Sequence, residues 1–232
     1  MLGYHFAMII TIDGPAGAGK STVAQALARR LGFRFLDTGA MYRAVALAGL
    51  RHGLDWDVPD DLAALAQKLD IDVDDEKTIL DGQDVAEAVR SSEVTAVTRY
   101  AADNPKVRAI LVDLQRRLAG RGNVVAEGRD QGTVAFPNAE CKIFLTASPE
   151  ERARRRLGDL QSQGEPATLQ QVLTAQANRD QEDENREVGP LMPALDAVTV
   201  RTDGLSFDEV VDQLESLARK RIPRTQQPPL NQ

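Results

Sequence analysis

One cysteine, Cys141, and two histidines, His5 and His52, are all the thiol and imidazole groups that 232 residues offer. A lone thiol excludes an internal disulfide framework, and so small a set excludes a Cys/His zinc site. No uninterrupted apolar run approaches the roughly 18 residues a membrane-spanning helix needs. The opening MLGYHFA lacks the charged start and long apolar middle of a secretory leader, so the cytoplasm is the expected location. Positive charge is not in excess: 28 Lys and Arg against 35 Asp and Glu give −7. No global basic field therefore draws the chain to nucleic acid. No internal repeat is evident. The length suits one domain, or one core with small inserts.

What the chain does have is concentrated in Met8 to Gly32, MIITIDGPAGAGKSTVAQALARRLG. A short apolar run breaks at Asp13-Gly14-Pro15, crosses a glycine-rich loop and enters a helix at Lys20-Ser21-Thr22. The loop reads Gly14-x-x-x-x-Gly19-Lys20-Ser21, the pattern whose backbone N–H groups cradle a polyphosphate. Gly14, Gly17 and Gly19 permit positive φ and close backbone approach, with Pro15, Ala16 and Ala18 between them. The helix that follows directs its partially positive end at the anion. Lys20 is expected to reach the β and γ phosphates of ATP, and the Ser21 hydroxyl to complete a Mg²⁺ shell otherwise made of phosphate oxygens and water.

Downstream, strands and helices alternate. Val23, Leu27 and Leu31 stripe the first helix, which Gly32 closes. A short strand at 33–36 leads through Asp37-Thr38-Gly39 to a helix at about 40–52, and another helix is predicted at 57–69. Residues 70–85 alternate like a small β insert, turning at Asp81-Gly82. A helix over about 86–100 pauses at Asn104-Pro105 and resumes to Leu118. Apolar runs at 123–126 and 142–146 read as buried parallel strands. Ser148-Pro149-Glu150-Glu151 reads as a capping box with proline at the first helical position. Thr168 opens a polar helix reaching about Arg186; a strand at 197–201, a helix at 206–221 and a flexible tail from 222 follow. Such alternation predicts an α/β, P-loop NTPase-type open parallel sheet flanked by helices. Ligands collect at the carboxyl ends of its strands, where Asp37, Arg129 and Asp130 stand.

A phosphate loop alone does not choose among switches, motors and kinases. There is no Asn-Lys-x-Asp guanine-reading tetrapeptide, and no apolar strand ends in Asp-Glu. Arginine, however, is scattered at Arg43, Arg108, Arg129, Arg152, Arg154, Arg155, Arg156, Arg179 and Arg186. Guanidinium forks bind phosphate oxygens bidentately and neutralise charge on a transferring phosphoryl group. Beside a phosphate loop, that set points to a second phosphorylated ligand and a kinase acting on a nucleotide. Another small-acceptor kinase (for UMP, AMP or shikimate) and a non-catalytic ATP-binding switch are the alternatives.

Four linked motifs, Ile10-Thr-Ile-Asp-Gly-Pro-Ala-Gly-Ala-Gly-Lys-Ser21, Phe35-Leu-Asp-Thr-Gly-Ala-Met-Tyr-Arg43, Glu127-Gly-Arg-Asp-Gln-Gly-Thr133 and Arg179-Asp180 with Asp183-Glu-Asn-Arg186, resemble those of bacterial cytidylate kinases in the same order. The resemblance runs from about Met8 to Arg221. It implies transfer of the ATP γ-phosphoryl group to CMP, and dCMP, in pyrimidine nucleotide metabolism. It also implies a single kinase domain over 8–221, with a core at 8–39, 104–150 and 195–221. An enlarged monophosphate-binding region over 40–103 would include the β insert, a lid would span 151–190, and 1–7 and 222–232 would be flexible termini. A monomer without nucleic-acid or membrane partners is expected.

By the same resemblance, Arg43, Arg129 and Arg186 match arginines that grip the acceptor phosphate. Arg179 and Asp183 match the pair near the acceptor sugar, and Arg108 and Asp130 match residues that read cytosine; Thr38 joins this acceptor set. A carboxylate accepts from the N4 amine of cytosine and repels the oxygen uracil carries there. Lys20, Arg129, Asp130 and Arg155 are the expected catalytic residues. The chain departs from the family at Arg99, with Thr98 adjacent, where a serine that helps hold the base is common. Glu182 and Glu184 stand where relatives can be basic.

Overall fold

The computed structural model describes residues 7–74, 77–162 and 164–222. Termini 1–6 and 223–232, and two residues of the expected β insert, lie outside the described set. Five strands form one parallel sheet: β1 (Ile9–Asp13), β2 (Arg34–Asp37), β6 (Val124–Gly128), β7 (Cys141–Thr146) and β8 (Val198–Arg201), ordered β2-β6-β1-β7-β8. β1 is central and pairs Ile10 with both Val125 and Cys141. Its neighbours β6 and β7 carry almost unbroken burial, as strands covered on both faces must.

Two hydrophobic cores follow from the pleat, which sends successive side chains to opposite faces. Ile10, Ile12, Val125, Ile143 and Leu145 pack with the inner faces of α1 (Lys20–Leu31) and α8 (Phe207–Arg221). Val124 and Ala126 face the other way. They join α2 (Thr38–Arg51), α3 (Pro59–Ala66), α4 (Ser92–Ala102) and α5 (Pro105–Ala119). α6 (Pro149–Ser162) and α7 (Leu169–Glu184) pack on each other after β7. Among the described residues no helix is long and apolar enough to cross a membrane.

Most boundaries fall within two residues of the sequence reading. The β insert is a three-stranded antiparallel sheet, β3 (Ile71–Val73), β4 (Thr78–Leu80) and β5 (Gln83–Asp84), with Asp81 and Gly82 turning the last hairpin at φ 50° and 78°. Asn104 caps α5 by accepting from Lys106 and Val107 N–H at 3.0 and 3.2 Å, with Pro105 first in the helix.

Several expectations need correction. The 86–100 helix is two pieces: a 3-10 turn at Ala88–Arg90, then α4, because the Ser91 side chain caps a new N-terminus by accepting from Val94 N–H. The helix at 57–69 is shorter, since Pro59 opens it and Ala66 ends it. α2 begins at Thr38, where Asp37 caps it by accepting from Ala40 N–H at 2.8 Å. The capping box at Ser148 is half made. Ser148 Oγ accepts from Glu151 N–H, but Ser148 N–H donates to Asp203, and Glu151 instead pairs with Arg155 at 3.0 Å. The complete boxes are at Thr168 with Gln171 and Ser206 with Glu209.

Candidate active site

The phosphate loop leaves the central strand at its carboxyl end. Gly14 (φ 148°) lies so close to β7 that a Cβ there would meet Leu145 O at 1.9 Å, which is why the first loop position admits only glycine. Pro15, Ala16, Gly17 and Ala18 complete the turn, and Gly19, in the left-handed region, delivers the chain into α1. Ser21 and Thr22 are exposed at its first turn.

Lys20 is buried, 6% exposed, and its Nζ donates to the Pro15 carbonyl at 2.9 Å. Burial, then the Arg129 charge, pushes its pKa down to about 7, against Glu127 and Asp13, which favour the ammonium. Asp13, the last residue of β1, accepts from Gln131 and Gly132 N–H at 2.8 and 2.7 Å. Burial outweighs those bonds and raises it to about 6. Its role is to clamp the turn after β6 to the end of β1, which fixes Asp130 in place.

Ser21 Oγ donates to Glu127 Oε1 at 2.9 Å. Glu127 is buried at the end of β6, and burial, then Asp37, raises its pKa. The motif comparison gave this carboxylate no role. An acidic residue closing the strand beside the phosphate-loop strand was the available signal. Thr38, placed in the acceptor set, is 1% exposed, and its Oγ1 donates to the Glu127 carbonyl at 2.6 Å. It ties α2 to β6.

The expected arginines converge on the cleft above these strand ends. Arg43 donates to Asp37 at 3.1 Å. Arg129 Nε donates to Asp183 at 2.9 Å, and Arg186 bonds both Asp183 and Asp103. α7 ends at Glu184, so Arg186 stands past the helix and folds back on it. Burial raises the pKa of Asp183, but Arg129, Arg186 and Arg179 outweigh it and leave the carboxyl below its ordinary value. Arg179, on α7, keeps contact with solvent although protein surrounds much of it. Enclosure by the protein, then the charges of Arg129, Arg43 and Arg156, lower its pKa, with Asp183 acting the other way.

Arg108 and Asp130 form a buried ion pair on the far side of the cleft, 4% and 5% exposed. Arg108 also donates to the Ala102 carbonyl at 3.0 Å. Burial raises the Asp130 pKa, against the Arg108 charge. Gly189, at φ 67°, lays its backbone over the pair; a Cβ there would meet Arg108 Nη2 at 2.2 Å and Asp130 Oδ2 at 2.3 Å. Arg99 spends its guanidinium on Tyr100, 5.0 Å above the ring.

The arginine group at 152–156 divides in two. Arg152 is buried and fixed, donating to Ala16 and Ala147 carbonyls and pairing with Asp180 at 2.6 Å. Although it falls within the expected lid span, it is held in place and braces the phosphate loop against α7. Arg155 bonds Glu151 and Thr202, yet its Nη1 lies 3.8 Å from where a Gly19 Cβ would be. It stands beside the end of the loop.

The family model for cytidylate kinase matches residues 10–220. The chain is 50% identical over 215 residues to a cytidylate kinase of Rhodopirellula baltica, covering 93% of this chain and 94% of that one. It is 47% identical over 216 residues to a cytidylate kinase of Desulfitobacterium hafniense, covering 92% and 93%. In fold it is similar to a solved structure of an uncharacterized protein from Eubacterium ventriosum, with TM-score 0.51, 12% identity and coverage of 93% and 99%. With a phosphate loop on the central strand, an arginine-lined cleft beside it and this likeness over nearly its whole length, the chain belongs to the cytidylate kinase family.

Proposed function

We propose that this enzyme transfers the γ-phosphoryl group of ATP to the 5′ phosphate of CMP, and of dCMP, giving CDP or dCDP and ADP. The observation that carries the reading is the convergence of Lys20, Arg43, Arg129, Arg156 and Arg179 on one cleft. Burial first, and then repulsion between these cations, holds Lys20 and Arg179 below their ordinary pKa values. Cations held against one another need anions, and two phosphorylated ligands meeting end to end supply them.

A phosphate oxygen of CMP attacks the γ-phosphorus while the bond to the ADP oxygen breaks. The protein contributes positioning and charge, not a covalent intermediate. Lys20 leaves the Pro15 carbonyl for the β and γ oxygens, and Arg155 approaches from α6. Arg43, Arg129 and Arg186 hold the acceptor phosphate, with Asp183 and Arg179 at the sugar. Asp130, held by Arg108, accepts from the cytosine N4 amine. Ser21 and Glu127 are hard oxygen donors that suit Mg²⁺. Among the described residues no cluster of three or more His, Cys, Asp or Glu could hold a metal by itself, so substrate oxygens and water would complete its shell. When bound, the ion offsets negative charge on the phosphates.

In this reading α6 and α7 form a lid, residues 40–103 form the monophosphate-binding region, and the sheet with α1, α5 and α8 is the core. Closing the lid excludes water that would otherwise accept the phosphoryl group. The reading takes a monomer as the working unit. Its nucleotide substrates fit a cytoplasmic enzyme. Incubation with ATP, Mg²⁺ and CMP, followed by chromatography, should give CDP and ADP in equal amounts. ADP with free phosphate and no CDP would sink the proposal.

A further inference from the structure

Behind the Arg108–Asp130 pair lies a polar group that the reaction just described does not use. Gln115 stands on α5 seven residues after Arg108, two turns along the same helical face. Its side chain is fully buried, and neither Oε1 nor Nε2 has a hydrogen-bond partner. The buried hydroxyl of Tyr42 on α2 and the Nε of Arg108 are also unpartnered. The Gln115 amide lies beside the Tyr42 hydroxyl without hydrogen-bond geometry between them. The Tyr42 ring sits under the Arg108 guanidinium, 5.6 Å from centroid to Cζ.

Folded proteins seldom leave buried polar atoms unpaired, and four in one place call for an explanation. The groups are complementary: amide and phenol can each donate and accept, while Arg108 Nε only donates. Packing alone would be met at lower cost by a methionine or leucine at position 115, which brings no unpaired amide. Arg108 already commits its other nitrogens to Ala102 and Asp130, so its placement sets where the Asp130 carboxylate stands.

We infer that Gln115 is a positioning residue for selection of the acceptor base: it orients Tyr42, whose ring backs Arg108, and through Arg108 it fixes the Asp130 carboxylate. This rests on the reading of Arg108 and Asp130 as the base-reading pair. The amide and phenol are adjacent but not aligned. A base that takes the second oxygen of Asp130 draws Arg108 over the ring and brings them into register.

The test is kcat/KM for CMP and for UMP, at saturating ATP, in the full-length enzyme and in Gln115→Met. The preference for CMP over UMP should fall about tenfold in the variant, the equivalent of one neutral hydrogen bond. The KM for ATP should not move, and the melting temperature should hold or rise. Tyr42→Phe, which deletes one oxygen, should reproduce the loss, and the double variant should fall no further than either single one because they share one path. If Gln115→Met does not fold, Tyr42→Phe carries the same test. Unchanged selectivity, or losses that simply add, would overturn the inference. A wild-type enzyme that does not prefer CMP would instead sink the base-pocket reading, and this inference with it.

Discussion

Ser21 on the phosphate loop and Glu127 at the end of β6 are joined by a 2.9 Å hydrogen bond across 106 residues of sequence. The bond sets a hydroxyl and a carboxylate side by side at the start of α1, where the proposed metal–triphosphate complex would dock. Removing that carboxylate charge while keeping its shape should weaken metal use more than nucleotide use. Glu127→Gln should raise the Mg²⁺ concentration needed for half-maximal rate by about tenfold or more, the usual effect of losing a group that supports a metal ligand. Titrating Mg²⁺ at fixed ATP checks this, and an unshifted curve would count against the assignment.

Lys20 gives a pH-dependent prediction. Burial pushes its pKa down to about 7, so near pH 8 the amine is mostly neutral. A triphosphate replacing the Pro15 carbonyl restores the ordinary ammonium, near pKa 10.4 in isolation. Binding of metal-free ATP near pH 8 should therefore take up a proton, and the calorimetric heat should depend on the buffer's ionisation enthalpy. Lys20→Ala should abolish most of that dependence and lower kcat by about 10²–10³, as for other preorganised charge-stabilising groups. Equal buffer dependence in the variant would show that the proton goes elsewhere.

Asp130 should govern selectivity. Asp130→Asn presents an amide that can donate to uracil O4, so CMP and UMP should become similar acceptors, chiefly through KM for CMP. The change also leaves the Arg108 charge buried without its partner, at a cost of about 3–5 kcal/mol. Because burial raises the Asp130 pKa, acid should act in the same direction in the wild type: as pH falls, protonation gives the carboxyl a donor, and preference for CMP should shrink. Selectivity unchanged by both the substitution and acid would exclude Asp130 as the reader.

The parts of the fold governed by neighbours in sequence were legible from sequence. Glycines at 14, 17 and 19, Asp81-Gly82 and Asn104-Pro105 each impose a local backbone geometry, and each is realised. What escaped was decided at long range. Asp13 reaches Gln131 and Gly132 across 118 and 119 residues, and Glu127 reaches Ser21 across 106. Ser148 loses half its capping box because Asp203, 55 residues on, occupies its N–H. Arg152 read like its neighbours in the 152–156 group, yet only burial against Ala16 and Asp180 makes it a brace. Gln115 left no signal in sequence, since a glutamine on an apolar helix face has meaning only through what it is buried against.

The most direct test of the account is ADP release with ATP and Mg²⁺ across CMP, dCMP, UMP, AMP, GMP and shikimate. We predict strong turnover with CMP and dCMP, weak turnover with UMP, and background rates with the rest. Preference for any other acceptor, or ADP release as fast with no acceptor present, would contradict it.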